Sequence, residues 1–175
     1  CLFDPFVNQR LEIRMRVALL GNVCNNMLAL ARAVRASGEH EADLFLPLGG
    51  EIHNRPESDY PEYKQSLPNW IKESARYGFW RNLNPFATDN ICRSLVDYDL
   101  VIFSSIYIGL APMIQGPKKA FYVTGGDLTV LPFPATHRVL LGAGLKMQIK
   151  TRFNSVLQRR GIASVDYIIS QPFSP

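Results

Sequence analysis

The sequence predicts an α/β fold: a Rossmann-like open parallel sheet of about five or more strands, with helices on both faces. Three observations predict it. Short, continuous apolar runs recur along the chain, as strands buried on both sheet faces require. Helix-patterned segments alternate with them. The first strand, helix and strand fit within about thirty residues, the size of a right-handed βαβ unit.

The elements follow in order. RVALLG, residues 16 to 21, is the first apolar run. After NVCNN comes MLALARAVRASG, where Leu28, Leu30, Ala31, Ala33 and Val34 give a helix with a wide apolar face. Gly38 suits its end, and Asn25 or Asn26 can cap its start by accepting from unpaired backbone N–H groups. ADLFLP, residues 42 to 47, is the second strand. Residues 89 to 98 read as a helix, 99 to 105 as a strand, and 106 to 116 as a short helix broken near Pro112. KKAFYVTGG, residues 118 to 126, is a strand, residues 136 to 160 a long helix, and 165 to 170 a fifth strand.

Residues 48 to 90 interrupt this rhythm with Pro56, Pro61, Pro68 and Pro85 among Tyr60, Tyr63, Trp70, Tyr77, Phe79, Trp80 and Phe86. A short helix from about Pro68 to Tyr77 is expected within the insertion. Its aromatics either pin the loop onto the core or face a ligand, since aromatic rings stack on flat partners.

At 175 residues the chain is most simply one domain over residues 15 to 175, with residues 1 to 14 an upstream arm or chain edge. Hydrophobic content of 47% and charged content of 19% exclude a disordered chain. No run of 18 apolar residues is present, and no secretory signal is visible. Cys1, Cys24 and Cys92 form no C-x-x-C pair, and His40, His53 and His137 are scattered. A disulfide framework or zinc site is therefore not expected, and the cysteine usage fits a cytoplasmic compartment.

In an open parallel sheet, ligands bind beyond the carboxyl ends of the strands. Two loops stand there. Gly21, Asn22, Asn25 and Asn26 follow the first strand, where helix-start amides and Asn side chains suit phosphates or sugar hydroxyls. Thr124, Gly125, Gly126 and Asp127 follow a middle strand. Glycine lets a ligand approach the main chain closely, and Asp127 can accept from hydroxyls or act as a general base. A tight turn capped by Asp127 is the competing reading. Ser104 and Ser105 either line the cleft or cap the segment that follows. The first loop is not G-x-G-x-x-G, and no acidic residue is placed after the second strand for a ribose hydroxyl, which counts against NAD or FAD. Neither a phosphate-binding P-loop nor G-x-S-x-G is present.

Net charge is +4, and no acidic residue falls between Leu128 and Val165, where Arg138, Lys146, Lys150, Arg152, Arg159 and Arg160 lie. Such a helix is either a solvated face or a surface for anionic lipid headgroups. No nucleic-acid motif accompanies the charge, so nucleic acid is not expected as a partner.

Three places resemble the N-terminal domain of two-domain, GT-B-type glycosyltransferases of the bacterial group-1, family-4 kind: residues 15 to 46, DYDLVIFSS leading into KKAFYVTGGDL, and VDYIIS at 165 to 170. Together they cover nearly the whole chain after residue 14. The resemblance implies one half of a GT-B architecture, with a C-terminal donor-binding domain absent from these residues. It implies a nucleotide-sugar co-substrate, no bound cofactor or metal, and a saccharide or lipid-linked acceptor held by this half. Gly21, Asn22, Asn25 and Asn26 would approach donor phosphates or acceptor. Gly125, Gly126 and Asp127 would contact acceptor hydroxyls, with Asp127 the catalytic or orienting residue. Many members carry His where this chain has Gly-Gly-Asp. Peripheral membrane contact through the 136–160 helix is a further expectation. The alternatives are a non-catalytic sugar- or nucleotide-binding module acting with a partner chain, and a nucleotide-linked oxidoreductase.

Overall fold

A computed structural model describes residues 14–49, 52–84, 90–124, 132–133 and 144–170. Six strands form one all-parallel sheet: β1 (Arg16–Leu20), β2 (Glu41–Pro47), β3 (Ile71–Ser74), β4 (Leu100–Ser104), β5 (Lys118–Val123) and β6 (Tyr167–Ser170). Their spatial order is β3-β2-β1-β4-β5-β6. The chain works outward from β1 to one edge, then crosses to β4 and works outward to the other. The switch point therefore lies between β1 and β4, which pair in register from Val17 with Leu100 to Leu20 with Phe103.

The continuous apolar runs are explained by burial on both faces. Val17 and Leu19 turn toward one core with Leu28, Ala31, Leu44 and Ile102. Ala18 and Leu20 turn toward the other with Phe45, Val101, Phe103 and Phe121. Helix α1 (Asn26–Ala36) covers the first face. The second is covered by the single-turn helices α3 (Phe79–Asn82) and α4 (Ile91–Ser94), and by a 3-10 segment, Ser105–Met113, that contains Pro112. The one-turn α2 (Pro56–Asp59) lies in the insertion, and α5 (Leu145–Ile162) packs on the 3-10 segment.

Four expectations change. The helix proposed for Pro68 to Tyr77 is strand β3 followed by a 3-10 turn, Ala75–Tyr77, so the insertion supplies an edge strand. The 89–98 helix shortens to the single turn of α4. The long helix is observed over Leu145–Ile162, and residues 136 to 143 lie outside the described residues. Asn25 stands at the N-cap position of α1, but neither it nor Asn26 makes the expected side-chain capping bond. Asn25 has left-handed backbone angles. Instead Asn22 Oδ1 accepts from the Leu28 N–H at 3.0 Å.

The aromatics of the insertion mostly pack. Tyr60, Tyr63 and Trp70 press on the α1 face, while Tyr77 and Phe79 are buried in the opposite core. The Arg32 guanidinium lies 3.9 Å from the Tyr60 ring centroid and donates to the Tyr63 hydroxyl at 3.0 Å. Phe86 lies outside the described residues.

Candidate functional site

A cleft of about 200 Å³ opens beyond the carboxyl ends of β1 to β4. Gly21, Asn22 and Val23 enter it from β1, Leu46 and Pro47 from β2, and Glu73 from β3. Ser105, Ile106 and Tyr107 enter from beyond β4, and Asn54, Arg55 and Pro56 close it from the insertion. Complete ligand pockets run to about 300–1,000 Å³. This cleft is of a size to enclose part of a ligand.

Gly21 is required where it stands. Its φ of +82° is open to glycine and strained for other residues. A Cβ there would lie 2.8 Å from Ser104 Oγ and 3.0 Å from both Ser104 O and Tyr107 Cδ2. The bare backbone of Gly21 thus lets β1 and β4 close on each other at the switch point.

The neighbouring asparagines hold the loop. Asn22 Nδ2 donates to Asn25 Oδ1 at 2.6 Å and to the Asn54 carbonyl at 2.8 Å. Asn25 Nδ2 donates to Ser58 Oγ at 2.8 Å and to the Arg55 carbonyl at 3.1 Å. Asn54 Oδ1 accepts from the Cys24 N–H at 2.8 Å. Asn22 and Asn25 are buried, and Asn26 is half-buried at the first position of α1. The amides of Cys24, Asn26 and Leu28 are all taken up inside the protein, which leaves fewer donors for a bound phosphate than the sequence promised. The network instead locks the insertion to the β1 loop and so builds one wall of the cleft.

Ser105 lines the cleft with a φ of +52°, while Ser104 is fully buried beneath it. The Ser104 hydroxyl has no hydrogen-bond partner among the described residues and makes no cap to the segment that follows. Thr124, just past β5, is half-buried. Gly125, Gly126 and Asp127 lie outside the described residues.

Two charged side chains escaped the sequence reading. Arg55 Nη2 sits 2.6 Å from Glu57 Oε1 and 4.0 Å from Glu73 Oε1, and its buried Nε–H is unused among the described residues. Glu73 is the carboxylate that β3 delivers to the cleft. The site thus offers apolar walls, one carboxylate, one guanidinium and the Ser105 hydroxyl. That combination suits a ring with a hydroxyl to be oriented. Among the described residues no group of three or more His, Cys, Asp or Glu is placed to hold a metal ion. Nor is any described helix long and apolar enough to cross a membrane.

No protein-family model and no curated protein sequence matches the chain. Among solved structures it is similar to LpCGTa in complex with UDP, with a TM-score of 0.52 and 18% identity, over 91% of this chain and 46% of that one. It is also similar to Phytolacca americana UGT2 complexed with UDP-2-fluoro-glucose and pterostilbene, with a TM-score of 0.51 and 10% identity, over 91% of this chain and 47% of that one. A short-chain dehydrogenase/reductase from Veillonella parvula in complex with NADP, at a TM-score of 0.45 and 8% identity, is too distant to carry an argument. The chain spans a little under half the length of the two glycosyltransferases. At these identities the likeness is one of fold. This chain has the Rossmann-like α/β fold of one half of a GT-B glycosyltransferase.

Proposed function

We propose that this chain is the acceptor-side half of a glycosyltransferase, moving a sugar from a nucleotide-sugar donor to a hydroxyl of a lipid-linked, cell-envelope or other glycan acceptor. One observation carries the reading: an apolar-walled cleft at the switch point, too small for a whole ligand and furnished with one carboxylate. A second domain, holding the donor, would complete the pocket. The cytoplasm, where nucleotide sugars are made, is the compartment proposed for it.

In such a reaction the acceptor oxygen attacks the anomeric carbon. The bond from that carbon to the phosphate oxygen breaks, and the leaving diphosphate takes the electron pair. The hydroxyl proton passes to a carboxylate. Glu73, which lines the cleft with Arg55 close by, would accept from the acceptor hydroxyl and orient it. Asp127 remains the proposed proton acceptor, on the sequence grounds given above. Fixed dipoles and basic side chains, rather than a metal, would stabilise the leaving diphosphate.

The test uses the full-length gene product and a panel of radiolabelled nucleotide sugars. Asp127→Ala should cut transfer at least about tenfold, about 1.4 kcal/mol of transition-state stabilisation. Glu73→Gln should raise the KM for acceptor more than it lowers kcat. Transfer unchanged in both variants would remove the cleft from the reaction. Saturable acceptor binding without transfer would favour the non-catalytic binding module.

A further inference from the structure

The insertion builds a second hollow beside the cleft. It holds about 240 Å³, slightly more than the cleft, and adjoins it through Arg55 and Glu73, which line both. Glu57, Tyr63, Lys64, Gln65 and Ser66 form most of the remaining wall. This wall is anchored on two sides. The 3-10 turn Pro61–Lys64 is tied to α1 by the Tyr63 hydroxyl, which accepts from the Arg32 guanidinium. The Arg55 main chain is tied to the β1 loop by Asn25 Nδ2, which donates to the Arg55 carbonyl.

The chemistry of the hollow differs from that of the cleft. Leu46, Pro47 and Ile106 give the cleft apolar walls, whereas carboxylates, cations, an amide and a hydroxyl surround the hollow. Lys64, Gln65 and Ser66 are exposed, and their side chains make no hydrogen bond or ion pair among the described residues. The charges balance, Arg55 and Lys64 against Glu57 and Glu73, and Arg55 Nη2 already lies 2.6 Å from Glu57 Oε1. An anionic ligand would therefore have to compete with Glu57 for Arg55 and meet Glu73 as a like charge. A neutral ring rich in hydroxyls meets no such opposition, because each hydroxyl both donates and accepts. At the junction, Arg55 Nη2 and Glu73 Oε1 stand 4.0 Å apart, too far to share a hydrogen bond. One hydroxyl between them, about 2.8 Å from each, can accept from the guanidinium and donate to the carboxylate. The second carboxylate oxygen of Glu73 stays available to the cleft.

We propose that the hollow is a subsite for a second, neutral sugar residue of the acceptor. The reacting residue lies in the apolar-walled cleft. The next residue lies across the Arg55–Glu73 junction, where its hydroxyls engage Lys64, Gln65 and Ser66. The acceptor is then an oligosaccharide or a longer glycan. A free monosaccharide or a flat aglycone would leave these side chains to water. The proposal rests on the sugar-transfer reading above and narrows its substrate class.

The experiment titrates the full-length protein, by ligand-observed nuclear magnetic resonance, with glucose, mannose and galactose and with the disaccharides built from each. In the series that binds, the disaccharide should bind at least about tenfold more tightly than the monosaccharide, the worth of two ordinary hydrogen bonds. Gln65→Ala with Ser66→Ala, both at exposed positions, should bring the disaccharide down to the level of the monosaccharide with the circular dichroism unchanged. Equal affinity for the two lengths, a length gain that survives the double variant, or no binding to any of these sugars would overturn the proposal. Tighter binding of a uronic-acid disaccharide, lost in Lys64→Gln, would reassign the hollow to an anion. Transfer assays with radiolabelled nucleotide sugars on the same preparations separate this proposal from the reading beneath it. Transfer without length preference would remove the subsite and leave the transferase standing. A length gain lost in the double variant, with no transfer from any nucleotide sugar, would keep the subsite and make the protein a saccharide-binding module.

Discussion

Gly161→Ala sets two physical effects of opposite sign against each other. Gly161 lies inside α5, near its end, where alanine is the better helix former by about 1 kcal/mol. Propensity alone therefore predicts a more stable protein. Packing predicts the opposite. A Cβ on Gly161 would lie 2.0 Å from the Ile108 carbonyl oxygen, 2.6 Å from the Ile108 carbonyl carbon and 3.1 Å from Ile108 Cγ1. The first two are backbone atoms in the middle of the 3-10 segment and cannot rotate away. Relief requires α5 to lift, and that loosens the seat it shares with Gly109, whose own Cβ would meet Leu157 Cβ at 3.1 Å and Phe79 at 3.2 Å.

Overpacking against movable side chains costs about 1–3 kcal/mol. Against main chain the upper end applies, so about 3 kcal/mol less the 1 kcal/mol of propensity leaves a net loss of about 2 kcal/mol. Urea unfolding followed by circular dichroism reads this directly. With a slope of about 2 kcal/mol per molar urea, the midpoint should fall by about 1 M. A midpoint that stays put, or rises as propensity alone would have it, would mean that α5 is not seated on the 3-10 segment as described.

Other expected outcomes are simpler to state. Asn22→Ala removes the bonds to Asn25, Asn54 and the Leu28 amide, leaving buried partners unpaired, and should cost about 2–4 kcal/mol in urea unfolding. Cys24 is exposed at a φ of +48° with no cap role, so Cys24→Gly should stabilise by up to about 1 kcal/mol, read as a rise in midpoint. Burial pushes the Cys92 thiol from 9.0 up to about 11 and the Tyr107 hydroxyl from 10.0 up to about 12. Both protons are held more tightly in the folded protein than in the unfolded chain. Stability should therefore be intact below pH 9 and fall as pH rises toward 11 and 12, by about 1.4 kcal/mol per pH unit for each group. Urea midpoints measured across that range check it. Peptide mapping after a short pulse of iodoacetamide at neutral pH should find Cys24 modified and Cys92 intact.

Much of the fold was legible because strands buried on both faces leave an unmistakable signature. RVALL, LVIFS and the apolar part of KKAFYV are continuous apolar runs, and each is a strand. Strand β3 was not legible for the complementary reason. It sits at the sheet edge and buries only Ile71, so its remaining residues, Lys72, Glu73 and Ser74, are polar and read as helix surface. That misassignment hid Glu73, since a carboxylate on a helix has no reason to face the cleft. The asparagine network was hidden by distance. Asn22 and Asn25 find their partners in Asn54, Arg55 and Ser58, some thirty residues away, and no local pattern links them. For α5 the charge was visible and the orientation was not. Periodicity gives the angle between side chains, but only tertiary contacts decide which side faces in.

Backbone strain and loop chemistry converge on one place. Among the described residues, the positive-φ residues other than glycine are Cys24, Asn25 and Ser105, and all three follow β1 or β4. Each costs on the order of 1 kcal/mol or more relative to ordinary angles. Such angles persist only where the surroundings over-determine them. Here the surroundings are the asparagine bonds on one side of the switch point and the Gly21–Ser104 approach on the other. Relaxing Ser105 would turn its hydroxyl and the following Ile106 and Tyr107 away from their present wall of the cleft. Relaxing Cys24 and Asn25 would release the insertion, and with it Arg55. The strain is thus confined to the two loops that shape the cleft, while the sheet beneath them is regular. A site that must fix a hydroxyl before a second substrate arrives has a use for such rigidity, because positioning achieved during folding is not spent again at each turnover.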